Sequence, residues 1–155
     1  MRNIKKIICP VDFSKPSDAA LISGVELAEH FSAEIILCHA INEIDPTPSP
    51  SYTLTHHIME QIPQIMGQMK QNAHKAMQVL IKNHVEKRIP ADHRVVIGDP
   101  AKSIVKLAED EKADLIVMAT HGRSGIKGMF FGSVAEKVVR SATCPVLTMR
   151  YNEKR

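Results

Sequence analysis

Residues 115–133 read LIVMATHGRSGIKGMFFGS and carry the chain's most distinctive chemistry. Leu115 to Met118 form a run of buried-strand type. That run empties into a loop with four of the seven glycines of the protein, Gly122, Gly125, Gly128 and Gly132. At Gly132-Ser133 a helical pattern begins. Glycines after a strand and before a helix suit a phosphate. Backbone N–H groups approach an anion closely where no Cβ intervenes, and a helix N-terminus adds partial positive charge. No carboxylate lies between Asp114 and Glu136, whereas His121, Arg123 and Lys127 do. The local field therefore favours an anion. His121 has no carboxylate or serine nucleophile beside it in sequence. It is read as orienting the backbone and not as a general base, and no catalytic residue is assigned.

A second candidate follows the first apolar run, in Pro10-Val11-Asp12-Phe13-Ser14. Asp12 either caps the helix that follows or faces a ligand, and both readings stay open. Ser133 is likewise an N-cap or a phosphate ligand. Cys9, Cys38 and Cys144 are odd in number, widely spaced and set in apolar segments, which suits a reducing compartment and no disulfide framework. His56-His57 lacks a third ligand at metal spacing and is read as exposed loop. A P-loop is absent.

At 155 residues the expectation is a single domain over 1–150 and a polar tail over 151–155. Net charge +3 is too small to point to nucleic acid. No apolar run approaches the roughly 20 residues that span a bilayer, and no signal peptide is recognised. The expectation is a cytoplasmic protein with no membrane and no nucleic-acid partner.

The elements that must position these residues alternate. Ile4 to Val11 is a strand, and a helix capped by Ser14 with Pro16 in its first turn follows. Glu34 to Ala40 is a second strand, apolar at its centre as a strand covered on both faces is. Pro46, Pro48 and Pro50 make residues 42–57 an irregular loop. From Ile58 a helical pattern runs through Ile62, Ile65, Met69, Ala73, Ala76 and Leu80, with a kink or break expected at Pro63. Methionines 59, 66, 69 and 77 are read as core and helix packing. His93 to Ile97 is a third strand, and Asp99-Pro100 opens a helix. Leu115 to Ala119 is the fourth strand. A helix from Gly132 or Ser133 is expected to face Val134, Ala135, Val138, Val139 and Ala142 inward, before a last strand over Pro145 to Met149. Strands alternating with helices predict an α/β fold, an open parallel sheet with helices on both faces. Ligands of such sheets lie beyond the carboxyl ends of the strands. Here that rule selects Pro10 to Ser14 and Ala119 to Ser133.

These residues resemble the universal stress protein family, from Ile7-Ile8-Cys9-Pro10-Val11-Asp12-Phe13-Ser14 to Cys144-Pro145-Val146-Leu147. The nucleotide-binding branch carries G-x2-G-x9-G-S/T after strand four. Here the second glycine is Gly122, nine residues follow, and Gly132-Ser133 closes the motif. Its first position is Ala119, a departure. The resemblance implies a Rossmann-like five-stranded sheet in the order 3-2-1-4-5 and ATP, or AMP or ADP, bound between strands one and four with magnesium. It implies a site built from Pro10, Val11, Asp12, Ala40, Met118, Ala119, His121, Gly122, Arg123, Gly125, Gly132, Ser133 and Val134. Within it Gly122, Arg123, Gly132, Ser133 and Val134 would hold phosphate, Asp12 the adenosine or a metal, and the Ala40 backbone the adenine.

The reading is an ATP-binding stress-response regulator or nucleotide sensor. Two alternatives stand: a nucleotide-free interaction module, which the Ala119 departure keeps open, and a slow ATP-hydrolysing enzyme. The last strand, Pro145-Val146-Leu147-Thr148-Met149, would be an apolar sheet edge, so a homodimer through these residues is expected. The identity of any protein partner is not readable from the sequence.

Overall fold

The computed structural model of the chain describes residues 3–44, 52–85, 87–121 and 131–151. The strands are β1 (Lys6–Pro10), β2 (Glu34–Ile41), β3 (Ala91–Ile97), β4 (Leu115–Ala119) and β5 (Val146–Met149). The helices are α1 (Lys15–Phe31), α2 (Tyr52–Leu80), α3 (Pro100–Asp110) and α4 (Ser133–Ser141), with a π-helical turn at Ile81–Val85 after α2. All strand pairs are parallel, in the order β3-β2-β1-β4-β5. This is the doubly wound sheet the alternation predicts.

Period-two alternation sorts each central strand between two cores. Ile7, Cys9, Ile35, Leu37, Leu115 and Val117 join Leu21, Val25 and Ala28 of α1, Met77 of α2 and Val85. Ile8, Ile36, Cys38, Ile116 and Met118 join Ala101, Ile104, Leu107 and Ala108 of α3 with Ala135 and Val138 of α4. Both faces of the central strands are thus covered, which is why their sequences are continuously apolar. Helix α1 lies close on the sheet because Gly24 has no side chain: a Cβ there would stand 3.4 Å from Ile35 Cδ1 and 3.7 Å from Val117 Cβ.

Local signals set the helix ends. Ser14 caps α1, its side chain accepting from Ser17 N, with Pro16 in the first turn. Asp99 caps α3 by accepting from Lys102 N at 2.9 Å. Helix α1 stops at Ser32, whose left-handed backbone (φ 52°) turns its N–H back to Ala28 O and Glu29 O.

Four expectations need correction. Helix α2 begins at Tyr52, so 52–57, with His56 and His57, are helical and not loop. No proline lies between 50 and 63, and a helix once nucleated propagates back through such residues. Pro63 sits inside one continuous helix, where it removes a single backbone donor. The methionines are not core as a group: Met77 is buried, whereas Met59 and Met69 are exposed, as is Ile65. From Met59 to Met69 no described side chain of α2 is buried, so helical spacing alone did not imply burial. Val139 is 46% exposed and Val138 fully buried, because a short helix with one buried stripe hides only one of two adjacent valines. Prolines 46, 48 and 50 lie outside the described residues, as do Arg123, Lys127 and the loop glycines Gly122, Gly125 and Gly128.

Candidate functional site

A cavity of about 420 Å³ opens beyond the carboxyl ends of β1, β2 and β4. That size falls within the range of small-ligand pockets. It is lined by Pro10, Val11 and Asp12 after β1, Ala40 near the end of β2, Met118, Ala119 and His121 around the end of β4, and Gly132, Ser133 and Val134 at the start of α4. Ten predicted site residues thus converge. Gly122, Arg123 and Gly125 lie outside the described residues.

The β1 loop is built from its own polar groups. Asp12 Oδ1 accepts from Ser14 N at 3.1 Å and from the Ser14 hydroxyl. Ser17 Oγ donates to Ser14 O at 2.9 Å and receives Asp12 N at 3.3 Å. Asp12 therefore braces the Ser14 cap at the start of α1 and also lines the cavity. Between Asp12 and Ser14, Phe13 takes a left-handed backbone, φ 62°. Such a conformation costs about 1–3 kcal/mol for a residue of this kind and persists only where surroundings impose it. Its ring lies against that of His39, centroids 4.5 Å apart.

The start of α4 is built differently. Its N-cap is Gly132, which offers no side-chain cap. The amides of Ser133, Val134 and Ala135 are the first of the helix and lack intrahelical acceptors by construction. All three residues line the cavity. Ser133 is thus the first helical residue and not the N-cap. Glycine at 132 serves a close approach: a Cβ would stand 3.0 Å from Thr120 O, and Gly132 N donates to that same oxygen at 2.7 Å. The helix start is pinned to the end of β4, with its partial positive charge directed at the cavity. At the same place Thr120 N donates to Met149 O, and the Thr120 hydroxyl lies 3.0 Å from His121 Nδ1.

Ala40 earns its place through its backbone. Cys38 O faces β1, where it accepts from Val11 N, whereas Ile41 O faces β3 and accepts from Gly98 N. Peptide groups alternate sides along a strand, so Ala40 turns its N–H and C=O toward β1, which has by then left the sheet. A donor and an acceptor of the main chain are presented side by side.

Asp12 is the acid among the lining residues, and no group of three metal ligands occurs among the described residues. Magnesium, which binds through one or two carboxylates plus substrate phosphates, fits Asp12 only together with a phosphorylated ligand. Cys38 also lines the cavity, but burial pushes its thiol up to about 12. It is no nucleophile at neutral pH. Ser17, His39, Asn42, Met69 and Ile104 line the cavity too and were not singled out in the sequence. His39 was the most accessible of these, since it adjoins Ala40 at the end of a strand the switch-point rule concerns.

A family model described as the Universal stress protein family matches residues 3–150. Universal stress protein MJ0531 of Methanocaldococcus jannaschii is 34% identical over 150 residues, covering 97% of this chain and 84% of the relative. The solved structure of hypothetical protein MJ0577 from the same organism has a TM-score of 0.78 at 27% identity, covering 99% of this chain and 100% of the other. A universal stress protein solved in complex with cAMP shares the fold, with a TM-score of 0.62 at 22% identity, 97% of this chain and 100% of the other being covered. The uncapped helix start, the glycine-closed loop and the sheet order thus coincide with a match along nearly the whole sequence, and this chain belongs to the universal stress protein family.

Proposed function

We propose that this protein binds an adenine nucleotide, ATP foremost, between β1 and β4 and works as a nucleotide-dependent regulator in a stress response. The observation that carries the reading is the uncapped N-terminus of α4 opening onto a 420 Å³ cavity. The α4 amides and the Ser133 hydroxyl would take phosphate, Ala40 the base, and Asp12 the sugar or a phosphate-bound magnesium. Gly122 and Arg123 belong to the same proposed phosphate grip. Nucleotide that binds only the folded protein stabilises it by mass action, about 2.7 kcal/mol at a hundredfold excess over Kd. A stress signal carried by nucleotide level would so be converted into persistence of the folded form.

The test is to denature purified protein, identify any nucleotide released, and titrate ATP with magnesium by calorimetry. Micromolar binding that disappears in Gly132→Ile, with the fold retained, supports the reading. No released nucleotide and no heat with ATP, ADP, AMP or cAMP defeats it and favours the nucleotide-free module.

A homodimer through β5 is part of the proposal. β5 is an edge strand only four residues long, and Leu147 is 38% exposed. Exposed apolar edges invite pairing with a second strand. Val146→Lys or Leu147→Lys should give monomers in solution scattering; a dimer of unchanged size, with the variant folded, removes β5 as the interface.

A further inference from the structure

We propose that His39 is the positioning residue that opens the purine end of the cavity, by ending the β1–β2 ladder one step early. This rests on the nucleotide reading for its ligand, though not for its geometry. The ladder pairs Lys6 with Glu34 through Pro10 with Cys38, and Val11 N then donates to Cys38 O at 2.8 Å. In a parallel ladder the next bond would run from Ala40 N–H to Val11 O. Val11 O instead meets the His39 ring, Nδ1 lying 2.8 Å away. A carbonyl only accepts, so Nδ1 carries the proton and Nε2 of the neutral ring carries none.

The His39 ring also has an aromatic neighbour. Phe13 lies against it at 4.5 Å, and the left-handed backbone of Phe13 swings the chain off the line of β1. The side chain of His39 thereby occupies the acceptor that would otherwise draw in Ala40. The Ala40 N–H and C=O are left facing the cavity as a paired donor and acceptor. That pair complements a heterocycle edge with a ring-nitrogen acceptor beside an amine donor, as adenine presents. Guanine presents a ring N–H beside a carbonyl at the same edge. His39 itself need not touch the ligand; it acts by keeping Ala40 unzipped. Nothing in local propensity requires histidine here, since its neighbours on β2 are Cys38 and Ala40.

The experiment uses the full chain as wild type, His39→Leu and His39→Asn. Two readouts are taken: amide hydrogen exchange at Ala40 without nucleotide, and calorimetric titration with ATP and with GTP. In His39→Leu the Ala40 amide should close onto Val11 O. Its exchange should slow and ATP affinity should fall, each by about tenfold, the factor one ordinary hydrogen bond carries. The preference for ATP over GTP should shrink with it. Asparagine places an amide donor near the Nδ1 position, so His39→Asn should restore both readouts. Wild-type exchange and affinity in the leucine variant would overturn the proposal, and so would an asparagine variant that behaves like leucine. If the wild type binds no adenine nucleotide, the proposed function fails, while Ala40 exchange still decides the role of His39. Should His39→Leu not fold, nitrogen NMR of wild-type His39 decides: an Nδ1-protonated ring supports the proposal, and an Nε2-protonated ring overturns it.

Discussion

Helices α1 and α4 both start beyond the carboxyl end of the sheet, on opposite sides of one cavity, and they treat their first amides in opposite ways. Helix α1 satisfies its own start: Ser14 caps it, Asp12 braces Ser14, and Ser17 closes the turn. Helix α3 is capped the same way by Asp99. Helix α4 begins at a glycine that caps nothing. The acid of its first turn, Glu136, is turned to solvent, where Arg140 pairs with it at 3.1 Å. A capped start is structural. An uncapped start facing a cavity leaves donors and dipole for an anion from outside.

The strongest way to break this contrast is to give α4 a fixed anion. Ser133→Asp should reduce ATP affinity by about a hundredfold or more, since like charges set together cost several kcal/mol. It should leave stability equal or raised by about 0.3–1 kcal/mol, because the carboxylate suits the helix start. Calorimetry beside thermal unfolding reads both, and retained affinity would mean that phosphate does not lie at α4. A smaller effect is expected of Gly132→Ala, whose Cβ must displace Thr120 O from 3.0 Å. Overpacking of this kind costs roughly 1–3 kcal/mol. Denaturant unfolding should show it, with ATP affinity falling as the helix start moves; an unshifted midpoint would refute the close-approach account.

On the other side of the cavity, Ser14→Ala removes a cap and should cost about 1 kcal/mol. For a chain of this size that lowers Tm by roughly 2–4 °C. ATP affinity should move far less than in Ser133→Asp, and an equal loss would erase the distinction between the two helices. The smallest effect concerns Asp18, in the first turn of α1. Its Oδ1 is buried without a hydrogen-bond partner among the described residues, and burial raises its carboxyl above the ordinary 3.8, with the Asp12 charge adding to the rise and His84 opposing it. A carboxyl held higher in the folded state binds more protons there, so it withdraws stability as pH climbs past 3.8. Asp18→Asn should therefore raise Tm slightly at pH 7, with the gain vanishing as pH falls below 3.8. A gain that grows with acidity would reverse the sign.

Much of the site was legible because its signals are local. Gly132-Ser133 after an apolar strand, and Asp12 after another, combine with the switch-point rule to find ten lining residues. Among the residues missed are some that reach the cavity from elsewhere. Met69 arrives from the middle of α2, Ile104 from α3, and His39 through a side-chain bond to a carbonyl 28 positions earlier. No spacing rule encodes such a contact. The burial errors share this origin. Ile62, Ile65 and Met69 repeat at helical spacing as a core stripe does, yet among the described side chains of α2 the buried ones are Ala73 and Met77.

The sequence by itself determined the alternation of strands and helices, the caps of α1 and α3, the apolar centres of the strands and the glycine-rich, acid-free character of the stretch before α4. Each depends on neighbours within a few positions, where propensity, capping and periodicity act. Tertiary structure alone decided that Gly132 is glycine because Thr120 O stands against it, that Asp12 shares a cavity with residues of β2 and β4, and that His39 takes Val11 O. These are meetings of distant residues, set by strand order and register, and the chain reaches them only once the sheet has brought β1, β2 and β4 side by side.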